Sequence, residues 1–110
     1  MNAMKNRVQL IGNVGNDPEI KNLDGGKKVA HLNIATNDSY KNDKGEKVEQ
    51  TEWHRVVAWG KTAEIIEKYV TKGIQIALEG KLTNRSYDDK NGEKRYITEV
   101  VVSEVMLLGK

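Results

Sequence analysis

Thr51-Glu52-Trp53-His54-Arg55-Val56-Val57-Ala58-Trp59-Gly60-Lys61-Thr62-Ala63-Glu64-Ile65-Ile66-Glu67-Lys68-Tyr69-Val70-Thr71-Lys72-Gly73 changes its period once. Over Thr51 to Trp59 the side chains alternate. Trp53, Arg55, Val57 and Trp59 fall on one side, and Glu52, His54, Val56 and Ala58 on the other. A period of two marks a strand. After Gly60 the spacing turns helical, with Ile65, Ile66, Tyr69 and Val70 forming an apolar stripe. Thr62 is the expected N-cap, with Glu64 in the first turn at the positive end of the dipole. Lys72 is expected in the last turn and Gly73 at the stop.

The flanking sequence supplies more strands. Arg7 to Val14 is extended and apolar, and Gly12 and Gly15 interrupt it. Glycine in a strand signals a bulge or sharp bend, as closure of a small barrel requires. Asn16 to Glu19 and Asp24-Gly25-Gly26 are turn sequences. Ala30, Leu32 and Ile34 alternate with His31, Asn33 and Ala35, which predicts a half-buried strand. Asn37 to Gln50 is polar and is expected to be a long loop. Beyond the helix, Ile74, Ile76 and Leu78 give another inward face. Lys81 to Tyr87 and Arg95 to Val102 flank Asp88-Asp89-Lys90-Asn91-Gly92-Glu93, whose Asn-Gly pair marks a hairpin.

Three strands, a helix and two strands predict an all-β fold. It is the strand order of a five-stranded oligonucleotide-binding (OB-fold) barrel with one short α-helix between strands 3 and 4. Periodicity by itself leaves other small β-barrels open. A single domain over residues 1–110 is expected. Charged residues make up 31% and hydrophobic ones 37%, which is globular composition rather than disorder. No apolar run has the length of a membrane span, and the first residues do not resemble a signal peptide. The absence of cysteine excludes disulfides and thiolate metal sites. A cytoplasmic location follows as the expectation, with no membrane partner. Eighteen basic against sixteen acidic residues leave a net charge of +2, too little for bulk attraction to a polyanion. Any nucleic-acid contact must come from local placement.

Two strands show such placement. Trp53, Arg55 and Trp59 share a register, and at ~3.3 Å per residue the indoles stand ~20 Å apart along it. Tryptophan in a small barrel is more often core than platform. A core face, however, does not carry an arginine cheaply. Lys81, Thr83, Arg85 and Tyr87 share a second register. Taken singly it is a solvated face. Taken with the first, it repeats one pattern of aromatic rings and cations. Tyr40 lies in the polar stretch near Lys41, Lys44 and Lys47 and can stack a base. Aromatic faces hold any base, and Lys and Arg meet phosphates, which suits unpaired nucleic acid of little sequence preference.

Three stretches carry a family likeness. Asn6 to Glu19, Gln50 to Lys61 and Arg95 to Val100 resemble, in order and across nearly the whole chain, the bacterial single-stranded DNA-binding protein family. The resemblance implies an OB-fold and commonly a homotetramer that wraps single-stranded DNA in replication, repair and recombination. Trp53 matches a family tryptophan. Trp59 falls where phenylalanine is frequent, and Tyr40 and Tyr87 where tryptophan is frequent. Arg55, Lys61, Lys72 and Arg85 fall where the family places cations near the strand. His54 falls at a position important for subunit assembly, and Asn6 to Ile11, including Val8, at a strand that pairs between subunits. The family's flexible linker and acidic tail have no counterpart here, so tail-mediated recruitment of replication or repair enzymes is not expected.

No catalytic residues are expected. Asp88 and Asp89 sit in a hairpin turn, Asp24-Gly25-Gly26 is no phosphate loop, and no nucleophile–histidine arrangement is readable. His31 and His54 form no metal cluster. No cofactor and no metal are expected. Two alternatives remain open at this point. One is an RNA-binding barrel, which stacking platforms do not distinguish from a DNA binder. The other is a protein-interaction barrel of a replication or conjugation complex.

Overall fold

Alternation becomes burial in the middle of the chain. In the computed structural model, which describes residues 5–109, Ala30, Leu32 and Ile34 stand opposite Ala58, Val56 and His54. All of these but His54 are buried. Of these, Leu32, Ile34 and Val56 each contribute about 1.5–3 kcal/mol on leaving water. The elements are β1 (Val8–Val14), β2 (Glu19–Asn22), β3 (Lys28–Lys41), β4 (Lys47–Trp59), α1 (Gly60–Tyr69), β5 (Gln75–Asp88) and β6 (Lys94–Gly109). The strand order β1-β5-β6-β4-β3 is closed by a β1–β3 pairing at Asn13–Ala35 and Val14–Ile34. This is the expected five-stranded ring, and α1 lies between its third and fourth strands in chain order.

Two features correct the expectation. A sixth strand, β2, is added to β3 outside the ring. Its four residues include only one partly buried side chain, Ile20, so it has no alternation to read. Second, most of the expected loop from Asn37 to Gln50 is strand. β3 and β4 pair without a break out to Lys41 and Lys47. Only a short turn remains, where the Asn42 side-chain carbonyl accepts the backbone N–H groups of Lys44 and Glu46. The hairpin of β5 and β6 ends the same way. There Asp89 Oδ1 accepts N–H of Asn91 and Glu93. Two long arms therefore extend from the barrel.

Ring closure depends on missing side chains. A Cβ on Gly12 would overlap the carbonyl oxygen of Ala35 and stand 2.9 Å from Ile34 Cγ2. A Cβ on Gly80 would overlap the carbonyl oxygen of Val101, beside an irregularity in the β5–β6 register. Both glycines let backbones approach where the sheet curves.

The helix starts two residues before the expected cap and ends before Lys72. Its N-cap is Trp59, in extended conformation and without a side-chain capping bond. Ala63, Ile66 and Val70 enter the core, while Ile65 and Tyr69 are exposed. The buried stripe thus runs at spacings of three and four; it keeps Ile66 and Val70 of the predicted set and has Ala63 in place of Ile65 and Tyr69. Lys72 lies past the helix, and its N–H donates to Asp17 Oδ1 at 3.0 Å.

Candidate nucleic-acid interface

The residues that alternate with the core form the outer face of β4. Trp53 is 62% exposed, Trp59 is 47% exposed, and Arg55 is exposed between them. Across β3 these stand opposite Ala35, Val29 and Asn33 in turn. On the other flank β6 runs parallel to β4, pairing Val56 with Val100 and Val57 with Val101. The outer face of β6 therefore carries Val101, Glu99, Ile97 and Arg95. Opposite these on β5 stand Lys81, Thr83, Arg85 and Tyr87. The two aromatic-plus-cation registers thus belong to one face, spanning β3, β4, β6 and β5. At ~4.8 Å between strands it is ~15 Å wide. Val29, Ala35 and Val57 are buried on this side outside the main core cluster, and they form an apolar floor.

Trp53 is held by a missing side chain. A Cβ on Gly15 would stand 2.8 Å from Cη2 of Trp53 and would overlap Cζ3. Gly15 follows β1 and bonds β3 through its N–H to Asn33 O at 2.9 Å. To reach it from β4, the indole crosses β3, where Ala35 stands opposite Trp53. The benzo ring therefore rests on backbone while the tryptophan stays mostly in solvent. The loop is fixed further by Asn16, whose Oδ1 accepts the Asn33 N–H, and by Asp17, which accepts the Lys72 N–H. Asp17 thereby ties the backbone at Lys72 to the loop that follows Gly15. Lys61 is exposed in the first turn of α1, two residues from Trp59.

The cations on the face differ. Arg85 is paired: its Nε donates to Glu99 Oε1 at 3.1 Å and its Nη2 to Oε2 at 3.4 Å. That bond raises the guanidinium pKa further. Arg95 is also paired, donating to Asp89 Oδ2 at 2.8 Å. Its hydrogen bond is the first cause of an Asp89 pKa below the ordinary carboxylate value, and the Glu93 N–H adds to it. Arg55, Lys61, Lys72 and Lys81 form no ion pair among the described residues.

Tyr40 lies on the β3 arm opposite Val48, in the register of Ala30 and Leu32 rather than that of the tryptophans. It is exposed there, and the register does not bring it onto the outer face. Tyr87 is exposed at the tip of the other arm, on the outer register. His54 points away from the tryptophans, as alternation predicts, and its Nε2 lies 2.9 Å from Thr36 Oγ1. Asn6 clamps the backbone of Leu82, donating to its carbonyl at 3.0 Å and accepting its N–H at 2.9 Å. Val8 stands opposite Gly80 and packs against the core.

Sequence reasoning missed Gly15 as the seat of Trp53 and Glu99 as the partner of Arg85. The Asn91-Gly92 pair gives no signal for Glu99: counted as a two-residue turn it sets Arg85 opposite Thr98, whereas the observed register, centred on Asn91, sets it opposite Ile97 and diagonal to Glu99.

The chain matches the Single-strand binding protein family over residues 5–108. It belongs to that family. It is 47% identical over 105 residues to the Single-stranded DNA-binding protein 1 of Chlorobaculum tepidum, covering 94% of this chain and 65% of that protein. It is also 47% identical, over 109 residues, to the Single-stranded DNA-binding protein 1 of Xylella fastidiosa, covering 98% of this chain and 80% of the relative. A solved structure, the Plasmodium falciparum SSB complex with ssDNA, superposes with a TM-score of 0.88 at 35% identity, covering 98% of this chain and 99% of the other. The ring described above is the OB-fold of that structure. Among the described residues, no helix is long and apolar enough to cross a membrane.

Proposed function

We propose that this chain binds single-stranded DNA with little sequence preference and shields it during replication, repair and recombination. One observation carries the proposal: exposed Trp53 and Trp59 flank an unpaired Arg55 on a face continuous with Lys81, Arg85 and Tyr87. Rings stack on bases, and free cations meet phosphates. A duplex hides the base faces that such rings need. Lys61, Lys72 and, from its own arm, Tyr40 extend the contact. The role is binding rather than catalysis, in the cytoplasm at the nucleoid.

Self-assembly is part of the proposal, with a homotetramer favoured over a dimer. The support lies in β1, which pairs with β5 from Val8 to Asn13 but meets β3 only at Asn13 and Val14. Its other edge is free over residues 8–12 among the described residues. A free edge accepts a second strand, and Asn6, Val8 and His54 are the residues we assign to the contact between subunits.

Titration with oligo-dT tests both parts. Tryptophan fluorescence should be quenched strongly and recover in part at high salt. Stronger quenching by RNA of equal length would replace DNA with RNA. No quenching by either would leave a protein-interaction module. Native mass measurement with and without oligo-dT reports the subunit count.

A further inference from the structure

We infer that Glu99 positions Arg85 as a flat base-stacking platform and removes it from the phosphate contacts. The inference rests on the single-strand reading and gives two arginines of one face different tasks.

Glu99 is the one buried charged residue among those described, 5% exposed. Yet it stands on the outer register, opposite Thr83, while its neighbours Val100 and Val102 fill the core. A lone carboxylate here would repel a polyanion and be costly to bury. Both of its oxygens are taken by one guanidinium, through Nε and Nη2. The β5–β6 register makes this possible. Arg85 stands opposite Ile97, so Glu99 is its diagonal neighbour, within reach of a long side chain. A two-point, side-on bond fixes the plane of the guanidinium as well as its place.

About half of the Arg85 side chain, 51%, stays exposed. What meets the strand is therefore a plane whose charge is already matched. Such a group releases few counterions on meeting phosphate, but its flat face still stacks on a base. Arg55, in contrast, has no carboxylate partner among the described residues and keeps its full charge for phosphate.

The salt dependence of oligo-dT affinity, followed by tryptophan quenching, separates the two tasks. Arg55→Ala should make the slope of log K against log salt shallower by ~0.7, the value for one phosphate contact on a single strand. Arg85→Lys keeps a cation beside Glu99 but loses the plane. It should leave the slope unchanged and weaken binding about fivefold or more at every salt concentration. Glu99→Gln frees Arg85 for phosphate and should steepen the slope by ~0.7. Parental affinity in Arg85→Lys, or a shallower slope, overturns the inference, as does an unchanged slope in Glu99→Gln. If Glu99→Gln proves unfolded by circular dichroism, Arg85→Lys decides by itself. A parent chain that fails to bind oligo-dT refutes the single-strand reading. A parent that binds, with Arg85→Lys silent, refutes only the role of Glu99.

Discussion

Gly15→Ala should weaken single-strand binding without weakening the fold. Carbon atoms in contact need ~3.5–4.0 Å. The new methyl would stand 2.8 Å from Trp53 Cη2 and overlap Cζ3, so the indole must shift by about 1 Å. Gly15 has no positive φ, so alanine meets no backbone strain and lowers unfolded-state entropy slightly. A displaced ring stacks poorly, and one base stack is worth ~1–3 kcal/mol in single-strand binders generally. That sets a ceiling of roughly 5–150-fold in Kd, the loss expected for Trp53→Ala itself. Because Trp53 is largely exposed, Trp53→Ala should leave the domain folded. The assay is quenching by oligo-dT at fixed salt in a Trp59→Phe background, where Trp53 is the sole indole. Fluorescence anisotropy of labelled oligo-dT covers the Trp53→Ala pair. If Gly15 acts through the ring, Gly15→Ala adds nothing once Trp53 is alanine. An equal loss in both backgrounds would refute the reasoning, and so would full affinity in Gly15→Ala.

The same substitution at Gly12 should do the opposite. Its methyl meets the Ala35 carbonyl, which is backbone and cannot swing aside, so we expect a loss of ~1–3 kcal/mol in urea unfolding; an unchanged midpoint would show that the β1–β3 closure has slack. Acid should loosen one arm before the other. The Asp89 carboxyl has a depressed pKa in the folded chain, so its contribution is present above the unfolded value of ~3.9 and is lost as pH falls through the folded one. Amide protection at Asn91 and Glu93 should fall in that window, while Lys44 and Glu46, held by the neutral amide of Asn42, keep theirs. Equal loss at both turns would remove Asp89 as the cause.

The parts of the fold legible in the sequence are those whose two faces differ in chemistry. β3 and β4 alternate inside the barrel because one side of each fills the core, while the other sets Asn33, Arg55 and the tryptophans among the buried Val29, Ala35 and Val57. Their period fixed the strands, and it also placed His54 away from the tryptophans. Beyond Thr36 both faces of the arm meet water. No burial pattern survives there, and a strand of Asn, Asp, Ser and Lys looks like a loop. Tyr40 reads as a loop residue for the same reason, although it belongs to β3. The helix shifted for a related reason. Its stripe is anchored by Ala63, too small to stand out beside Ile65, and its first residue is a glycine that composition assigns to a turn.

The site divides along another line. Which residues share a strand face is a one-dimensional property, so Trp53, Arg55 and Trp59 could be grouped without a structure. Whether a cation on that face is free depends on a second strand. Arg85 and Arg55 look alike in sequence, each beside exposed aromatics. Only the β5–β6 register brings Glu99 to one and not the other. Likewise, nothing near Trp53 in the chain announces that Gly15 supports it. With a net charge of +2, and with Arg85 and Arg95 already matched by carboxylates, phosphate contact on this face falls to the few unpaired cations, Arg55 and Lys81, with Lys61 and Lys72 beside it. On the proposed reading, stacking carries much of the binding on this face, and Gly15 and Glu99 shape it by setting the Trp53 ring and the Arg85 guanidinium in place.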